Sequence, residues 1–137
     1  MSNCFAVRVY YEDTDAAGVV YYANYLKFME RARTEWLRTL GFEQSQLVRE
    51  QSLGFVARSV SIDYLKPARL DDMLNVISGI DTASRAQIVF SQRVEREGEI
   101  LATSKIQIVC VDPARGKVST MPLPVYEKFK ALIGVGS

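Results

Sequence analysis

Three carboxylates lie within four residues near the start of the chain, at Glu12, Asp13 and Asp15. Gly18 follows them, and a segment with helical periodicity begins a few residues later. A carboxylate can act as a general base or a nucleophile, and the free N–H groups of a first helical turn can stabilise a developing oxyanion. The spacing therefore predicts an acid near a helix N-terminus, with Asp15 as the candidate base or nucleophile.

Two other interpretations of this acidic segment remain open. An aspartate in a glycine-containing turn commonly accepts hydrogen bonds from the nearby backbone, so Asp15 could be a turn or cap residue only. The three carboxylates could also hold a metal ion, although carboxylates two residues apart on an extended segment diverge and no EF-hand spacing follows. Glu12 and Asp13 are expected to be solvated.

The 137-residue sequence contains no histidine. This excludes serine-histidine and cysteine-histidine nucleophile pairs as well as histidine general bases. Cys4 and Cys110 are far apart and lack CxxC spacing, so we expect two reduced, inert thiols rather than a disulfide or a zinc site. Acid-base chemistry would then use carboxylates, tyrosines, lysines or backbone groups.

Composition favours an ordinary globular protein. With 48% hydrophobic and 24% charged residues and no dividing linker, residues 1–137 are expected to form a single domain. A net charge of +1 without a long basic run argues against a nucleic-acid partner. Neither a signal peptide nor an apolar run near the roughly 18 residues of a membrane span is found, so we expect a cytoplasmic protein without membrane insertion.

The helix after the acidic segment is predicted over residues 23–40. Asn24 is the expected N-cap, and Gly41 is the expected left-handed residue after the last turn. Apolar residues recur at three- and four-residue steps on one face, which should pack against a sheet: Tyr25, Phe28, Met29, Ala32, Trp36 and Leu40.

Alternating residues and turn signals predict about five strands, over residues 4–10, 54–64, 73–80, 85–95 and 100–112. The last three are joined by hairpins and must be antiparallel. Residues 43–52 are a short helix or a loop, and residues 124–133 could form a terminal helix. One long helix and these strands predict an α+β fold with the helix on one face of an antiparallel sheet. Strand 100–112 is partly apolar on both faces, which favours an oligomer.

Aromatic and basic residues are the remaining candidates for function. The tyrosines around the acidic segment are expected mainly to pack in the core or an interface: Tyr10, Tyr11, Tyr21, Tyr22 and Tyr25. Basic residues in later turns could hold phosphates or could be solvated turn charges: Lys66, Arg69, Arg85, Arg115 and Lys117.

Residues 11–25 (YEDTDAAGVVYYANY), with ERAR at residues 30–33, resemble the signature of hotdog-fold acyl-CoA thioesterases of the 4-hydroxybenzoyl-CoA thioesterase family. Residues 63–72 and 109–113 resemble its Tol-Pal-associated, YbgC-type subgroup. The similarity spans about residues 5–130. It implies a hotdog fold, in which a sheet wraps around the long helix, and homodimers joined edge to edge with two active sites at the interface. Such dimers often pair into a homotetramer.

The resemblance also implies catalytic residues. The family's catalytic aspartate falls on Asp15, and its helix N-terminal amide, which polarises the thioester carbonyl, falls on Tyr22. Many YbgC-type members carry a histidine at that second position, and this chain does not. A backbone role for Tyr22 is therefore expected, whereas a side-chain acid-base role is not.

By a looser alignment, Phe55 and Ser59 fall near the family's acyl pocket, and Arg85 and Lys117 fall near residues that hold the nucleotide phosphates. The implied function is hydrolysis of an acyl-CoA to a carboxylic acid and free CoA, without a metal or redox cofactor. An acyl carrier protein thioester is a further candidate substrate.

Two alternative functions remain. A hotdog-fold hydratase or dehydratase typically needs a histidine with its aspartate, which the sequence lacks. A non-catalytic acyl-CoA binding protein, or a structural partner of the cell-envelope machinery, would bind thioesters without releasing free thiol.

Overall fold

The computed structural model describes residues 3–134. Strand β1 (Asn3–Arg8) leads through a 3₁₀ turn (Tyr11–Asp13) to helices α1 (Asn24–Thr39) and α2 (Gln44–Gln51). Strands β2 (Gly54–Tyr64), β3 (Met73–Ala83), β4 (Gln87–Arg96), β5 (Glu99–Asp112) and β6 (Lys117–Val118) follow, and helix α3 (Leu123–Lys130) comes last.

The strands form one antiparallel sheet in the order β1-β3-β4-β5-β2, with β6 beside β5. The predicted α+β hotdog architecture, a curled sheet with one long helix on its inner face, is confirmed. The two-residue β6 was not predicted, because so short a strand has no detectable alternation. Strands β1 and β2 each have a single strand partner within residues 3–134 and form the two edges.

The predicted limits of α1 agree with the structure within one residue, and Gly41 has the expected positive φ of 91°. The expected N-cap role of Asn24 is wrong. Asn24 is the first helical residue, and its Nδ2 donates 2.8 Å to the carbonyl oxygen of Asp13. The Asn24 side chain therefore makes a tertiary hydrogen bond and does not cap the helix.

The buried face of α1 packs on the sheet, and burial of a large apolar side chain stabilises the fold by about 1.5–3 kcal/mol. Leu37 belongs to this face although it was not predicted there, and it lines one cavity together with Gln44 of α2 and Phe129 of α3. The ring of Phe129 on α3 lies 6.0 Å from Phe42 and 6.1 Å from Phe55. The buried helix residues are Asn24, Tyr25, Phe28, Met29, Ala32, Trp36 and Leu37.

The core also contains a few polar side chains, among them Gln92. Gln92 is 2% exposed. Its Nε2 donates to the Met29 carbonyl oxygen at 3.0 Å and to Ser78 Oγ at 2.9 Å, and its Oε1 accepts from Arg33 at 2.9 Å. Because an unpaired buried polar group costs about 1–3 kcal/mol, these bonds specify where α1 lies along the sheet.

Both cysteines are free thiols. Burial raises the pKa of Cys110 to about 11, so this thiol stays protonated at neutral pH. Within residues 3–134, no helix is long and apolar enough to span a membrane. In the same range, no three Cys, Asp or Glu side chains are grouped in a way that could hold a metal ion.

Candidate active site

The segment that carries Asp15 is a short hairpin. Thr14 and Val20 form an antiparallel bridge, and the Asp15 N–H donates to the Val19 carbonyl oxygen at 2.9 Å. The chain reverses at Gly18, whose φ of 80° is readily adopted only by glycine. Asp15 therefore lies at the end of a constrained loop.

The carboxylate of Asp15 is exposed, and its Oδ1 accepts a 2.8 Å hydrogen bond from the Ala17 N–H. This bond is an Asx turn, as the turn interpretation expected, and it also orients the carboxylate. Oδ2 has no hydrogen-bond partner within residues 3–134. The side chain borders an open depression of about 480 Å³, lined by Tyr11, Thr14, Asp15, Ala16, Gly18 and Leu70.

The two neighbouring carboxylates differ in environment. Glu12 is exposed as expected. Asp13 is half-buried, which corrects the expectation that it is solvated, because its Oδ2 accepts a 2.8 Å hydrogen bond from the Tyr10 N–H and caps the 3₁₀ turn. The Asp13 carbonyl oxygen accepts from the Tyr21 N–H at 2.9 Å and from Asn24. Asp13 thus ties the Asp15 hairpin to the start of α1.

The backbone just before α1 has free donors. The N–H groups of Tyr21 and Asn24 are hydrogen-bonded, whereas those of Tyr22 and Ala23 donate to no group in the described part of the chain. Free N–H groups at a helix N-terminus carry partial positive charge and can bind a developing anion. The Tyr22 N–H is therefore available as the predicted oxyanion donor.

A cluster of aromatic rings surrounds these donors. Ring centroids lie 4.7 Å apart for Tyr21 and Tyr22, 6.1 Å for Tyr22 and Tyr64, and 5.3 Å for Tyr25 and Tyr64. Of the five tyrosines named from the sequence, only Tyr25 is buried in the chain, at 3% exposure. The others form an exposed aromatic surface next to the Asp15 loop: Tyr10, Tyr11, Tyr21 and Tyr22.

Phe55 and Ser59 lie on different faces of the sheet. Phe55 lines a cavity of about 190 Å³ beneath α1. Ser59 donates a 3.2 Å hydrogen bond to Gln107. The neighbours of Gln107 on β5, Ile106 and Ile108, are buried beneath α1, so Gln107 and Ser59 lie on the outer face. Residues four apart on a regular strand share a face, but a β-bulge between Ala57 and Ser59 shifts the register. Alternation alone does not predict this bulge.

The two predicted phosphate-binding residues lie at the end of the sheet where β2 begins. Arg85 donates from Nε and Nη2 to the Met121 carbonyl oxygen, at 3.0 and 2.8 Å. Lys117 is exposed on β6, next to the β5 residues that pair with the start of β2. Tyr22 contacts Tyr64 at the other end of this 11-residue strand. At 3.3 Å per residue, the two ends of β2 are about 33 Å apart along the strand. One chain therefore does not bring the catalytic and phosphate-binding candidates together.

Arg33 lies outside the apolar face that the periodicity of α1 predicts, yet its side chain lines the cavity beneath this helix. It is half-buried, its guanidinium lies 5.9 Å from the centroid of Phe90, and it lines the same cavity as Phe55. Desolvation lowers the pKa of Arg33. Its position within the ERAR motif was the one available signal. The cavity is lined by Glu30, Arg33, Thr34, Leu37, Gln44, Phe55, Ala57, Ile88, Phe90, Ile108 and Phe129.

Comparisons with known proteins identify the family of this chain. Residues 9–129 match the family described as the thioesterase-like superfamily. The chain is 48% identical over 128 residues to the acyl-CoA thioesterase YbgC of Haemophilus influenzae, covering 93% of this chain and 94% of that protein. It is 46% identical over 125 residues to the acyl-CoA thioester hydrolase YbgC of Escherichia coli O6:H1, covering 90% and 92%.

Among solved structures, a probable thioesterase from Bartonella henselae superposes with a TM-score of 0.85 at 34% identity, covering 89% of this chain and all of that one (100%). The chain therefore belongs to the thioesterase-like superfamily, and it is a hotdog-fold thioester hydrolase.

Proposed function

We propose that this protein hydrolyses acyl-CoA to a carboxylic acid and free CoA, with Asp15 as base or nucleophile and the Tyr22 N–H as oxyanion donor. The observation that carries the proposal is a loop with an exposed, oriented carboxylate tied through Asp13 to a helix start with two free N–H groups. The YbgC relatives, named as acyl-CoA thioesterases, support the choice of substrate class.

Two mechanisms use this arrangement. In the first, Asp15 removes a proton from a water molecule whose oxygen attacks the thioester carbonyl carbon. In the second, the Asp15 carboxylate attacks that carbon directly, and water then hydrolyses the resulting anhydride. In both, the carbonyl oxygen gains negative charge near the Tyr22 N–H and the positive end of the α1 dipole. When this oxyanion collapses, the C–S bond breaks, which gives the carboxylic acid in the first mechanism and the anhydride in the second. CoA leaves as a thiolate that takes up a proton.

We infer that two chains complete the site. Strand β2 is an edge strand with exposed apolar side chains, among them Val56 and Val60 at 45% and 44% exposure. If two β2 strands pair antiparallel about a two-fold axis, the start of each strand lies beside the end of the other. Phe55 and the basic end of one sheet would then approach Asp15 and Tyr22 of the partner.

This homodimer is the assembly that the family resemblance implies. A homotetramer would further cover the outer face of the sheet, where Val89, Val109 and Val111 are half-buried. We also propose a cytoplasmic location, and an acyl carrier protein thioester as a second candidate substrate.

Val60→Lys is expected to shift the protein from dimer to monomer, because an ammonium group in a closed edge-to-edge interface is costly to desolvate. If the site needs both chains, thiol release per chain should fall by about tenfold or more as the dimer population falls. Sedimentation velocity and a thiol assay on the same samples measure both effects. Ala6→Lys places the same charge on the exposed side of the opposite edge strand β1 and should change neither. A monomeric Val60→Lys variant with full activity would contradict the two-chain site.

The proposed function is tested by release of free thiol from acyl-CoAs of graded chain length and from one aromatic acyl-CoA. We expect CoA release with at least one of them, and the relative kcat/KM values would identify the preferred acyl group. Measured binding of acyl-CoA without thiol release would instead support the alternative of a non-catalytic binding protein. If acyl-CoAs neither bind nor react, carrier-protein thioesters are the next substrates to assay.

A further inference from the structure

Tyr64 reaches from the end of β2 to the start of α1. Its Oη donates a 3.0 Å hydrogen bond to the carbonyl oxygen of Tyr22, 42 residues away in sequence. Its ring packs edge-on against the rings of Tyr22 and Tyr25. Strand β2 is in turn held by β5, where Tyr64 pairs with Ala102, a fully buried residue. The half-exposed Tyr64 side chain is therefore held by the pairing of β2 with β5 and by contacts of its ring with Tyr22 and Tyr25.

The acceptor of this bond is adjacent to both free donors. The Tyr22 carbonyl and the Ala23 N–H belong to one planar trans peptide and point in opposite directions. A donor that holds the carbonyl oxygen therefore also sets the direction of the Ala23 N–H. The same bond limits rotation of Tyr22 itself, whose own N–H is the other free donor.

The alternative backbone partner of this carbonyl is weak. The Tyr25 N–H lies 3.3 Å from the Tyr22 oxygen, at the long end of the hydrogen-bond range. The hydrogen bond from the Tyr64 hydroxyl, at 3.0 Å, is thus the shorter of the two bonds to this oxygen. Burial raises the pKa of Tyr64, with smaller contributions from Tyr22 and Tyr25, so the hydroxyl remains a donor at neutral pH.

We propose that Tyr64 is a positioning residue of this thioesterase: its hydroxyl holds the Tyr22–Ala23 peptide so that the free N–H groups before α1 point at the developing oxyanion. This role rests on the proposed function, because it presumes that these N–H groups face the thioester carbonyl. It adds a residue from the edge strand to a site otherwise built from the acidic hairpin and the helix start. It also couples the geometry of the oxyanion donors to the position of β2.

Tyr64→Phe tests the role, because it removes only the hydroxyl and keeps the ring. We expect kcat to fall about tenfold, since the donors remain but are no longer held in register, with KM changed less than twofold. Tyr25→Phe is the matched control from the same cluster. Its hydroxyl accepts a 3.1 Å hydrogen bond from the Ala68 N–H, so this variant should lower the melting temperature and leave kcat within twofold.

The outcomes separate the positioning role from the function itself. If the wild-type protein is active and the Tyr64→Phe variant has the same kcat, the positioning role alone is overturned. A Tyr64→Phe variant that lowers kcat only as far as it lowers the folded fraction, or that raises KM instead, also overturns it. If the wild-type protein releases no thiol from any thioester, the proposed function fails and the positioning role fails with it.

Discussion

Asp15→Asn is expected to lower kcat for acyl-CoA hydrolysis by about 10²- to 10⁴-fold, the range typical for loss of a general base. An asparagine side chain has nearly the same shape, and its Oδ1 can still accept the hydrogen bond that Ala17 donates to Asp15. The hairpin should therefore keep its conformation while the negative charge is lost. The rate of free-thiol release, measured with saturating substrate, checks the prediction.

Glu12→Gln is the matched control for this experiment. Glu12 is an exposed carboxylate in the 3₁₀ turn just before the Asp15 hairpin, so its neutralisation changes the local charge by the same amount. We expect its kcat to stay within about threefold of the wild-type value, since exposed charges interact weakly through water. Thermal melting and CoA binding should be unchanged in both variants. An Asp15→Asn variant with a near-wild-type rate would show that another group performs the chemistry.

Tyr22→Pro is expected to lower kcat by about 10²- to 10³-fold, the usual cost of removing one oxyanion donor. Proline lacks the N–H, and its fixed φ is tolerated at the beginning of a helix. Tyr22→Phe keeps the N–H and loses only the hydroxyl, so its kcat should stay within about threefold of wild type. Steady-state thiol release by both variants, with circular dichroism to verify the helix content, makes the comparison.

The pair of Tyr22 variants tests the phenol hydroxyl and the backbone N–H separately, although Tyr22→Pro also removes the ring that packs against Tyr64. A large loss of kcat in Tyr22→Phe would assign a role to the phenol hydroxyl, against the expectation from the resemblance. A folded Tyr22→Pro variant with full activity would exclude the Tyr22 N–H as the donor. Ala23→Pro removes the neighbouring free N–H and would then identify which of the two amides is used.

Local patterns predicted most of the elements because the interactions that specify them are close in sequence. The limits of β2 agree with the structure at both ends, and α1 ends where a glycine adopts a positive φ. The predictions failed where a distant partner intervened. Asn24 donates to the carbonyl oxygen of Asp13 instead of capping α1. The Arg33 side chain points toward the sheet, where it contacts Gln92 and Phe90. The bulge in β2 moves Ser59 to the face opposite Phe55.

The candidate base, the glycine turn and the helix start are consecutive in the chain, so the residue types and spacing from Asp15 to Asn24 were sufficient to indicate an acid near a helix N-terminus. Three features could not be inferred from the residues alone. They are the connection through Asp13, the hydrogen bond from Tyr64, and the separation of Tyr22 from Lys117 along β2. Such features depend on register, twist and bulges, which arise from packing between segments far apart in the chain. A periodic pattern indicates which residues share a face of a strand, but it does not indicate which other segment packs against that face.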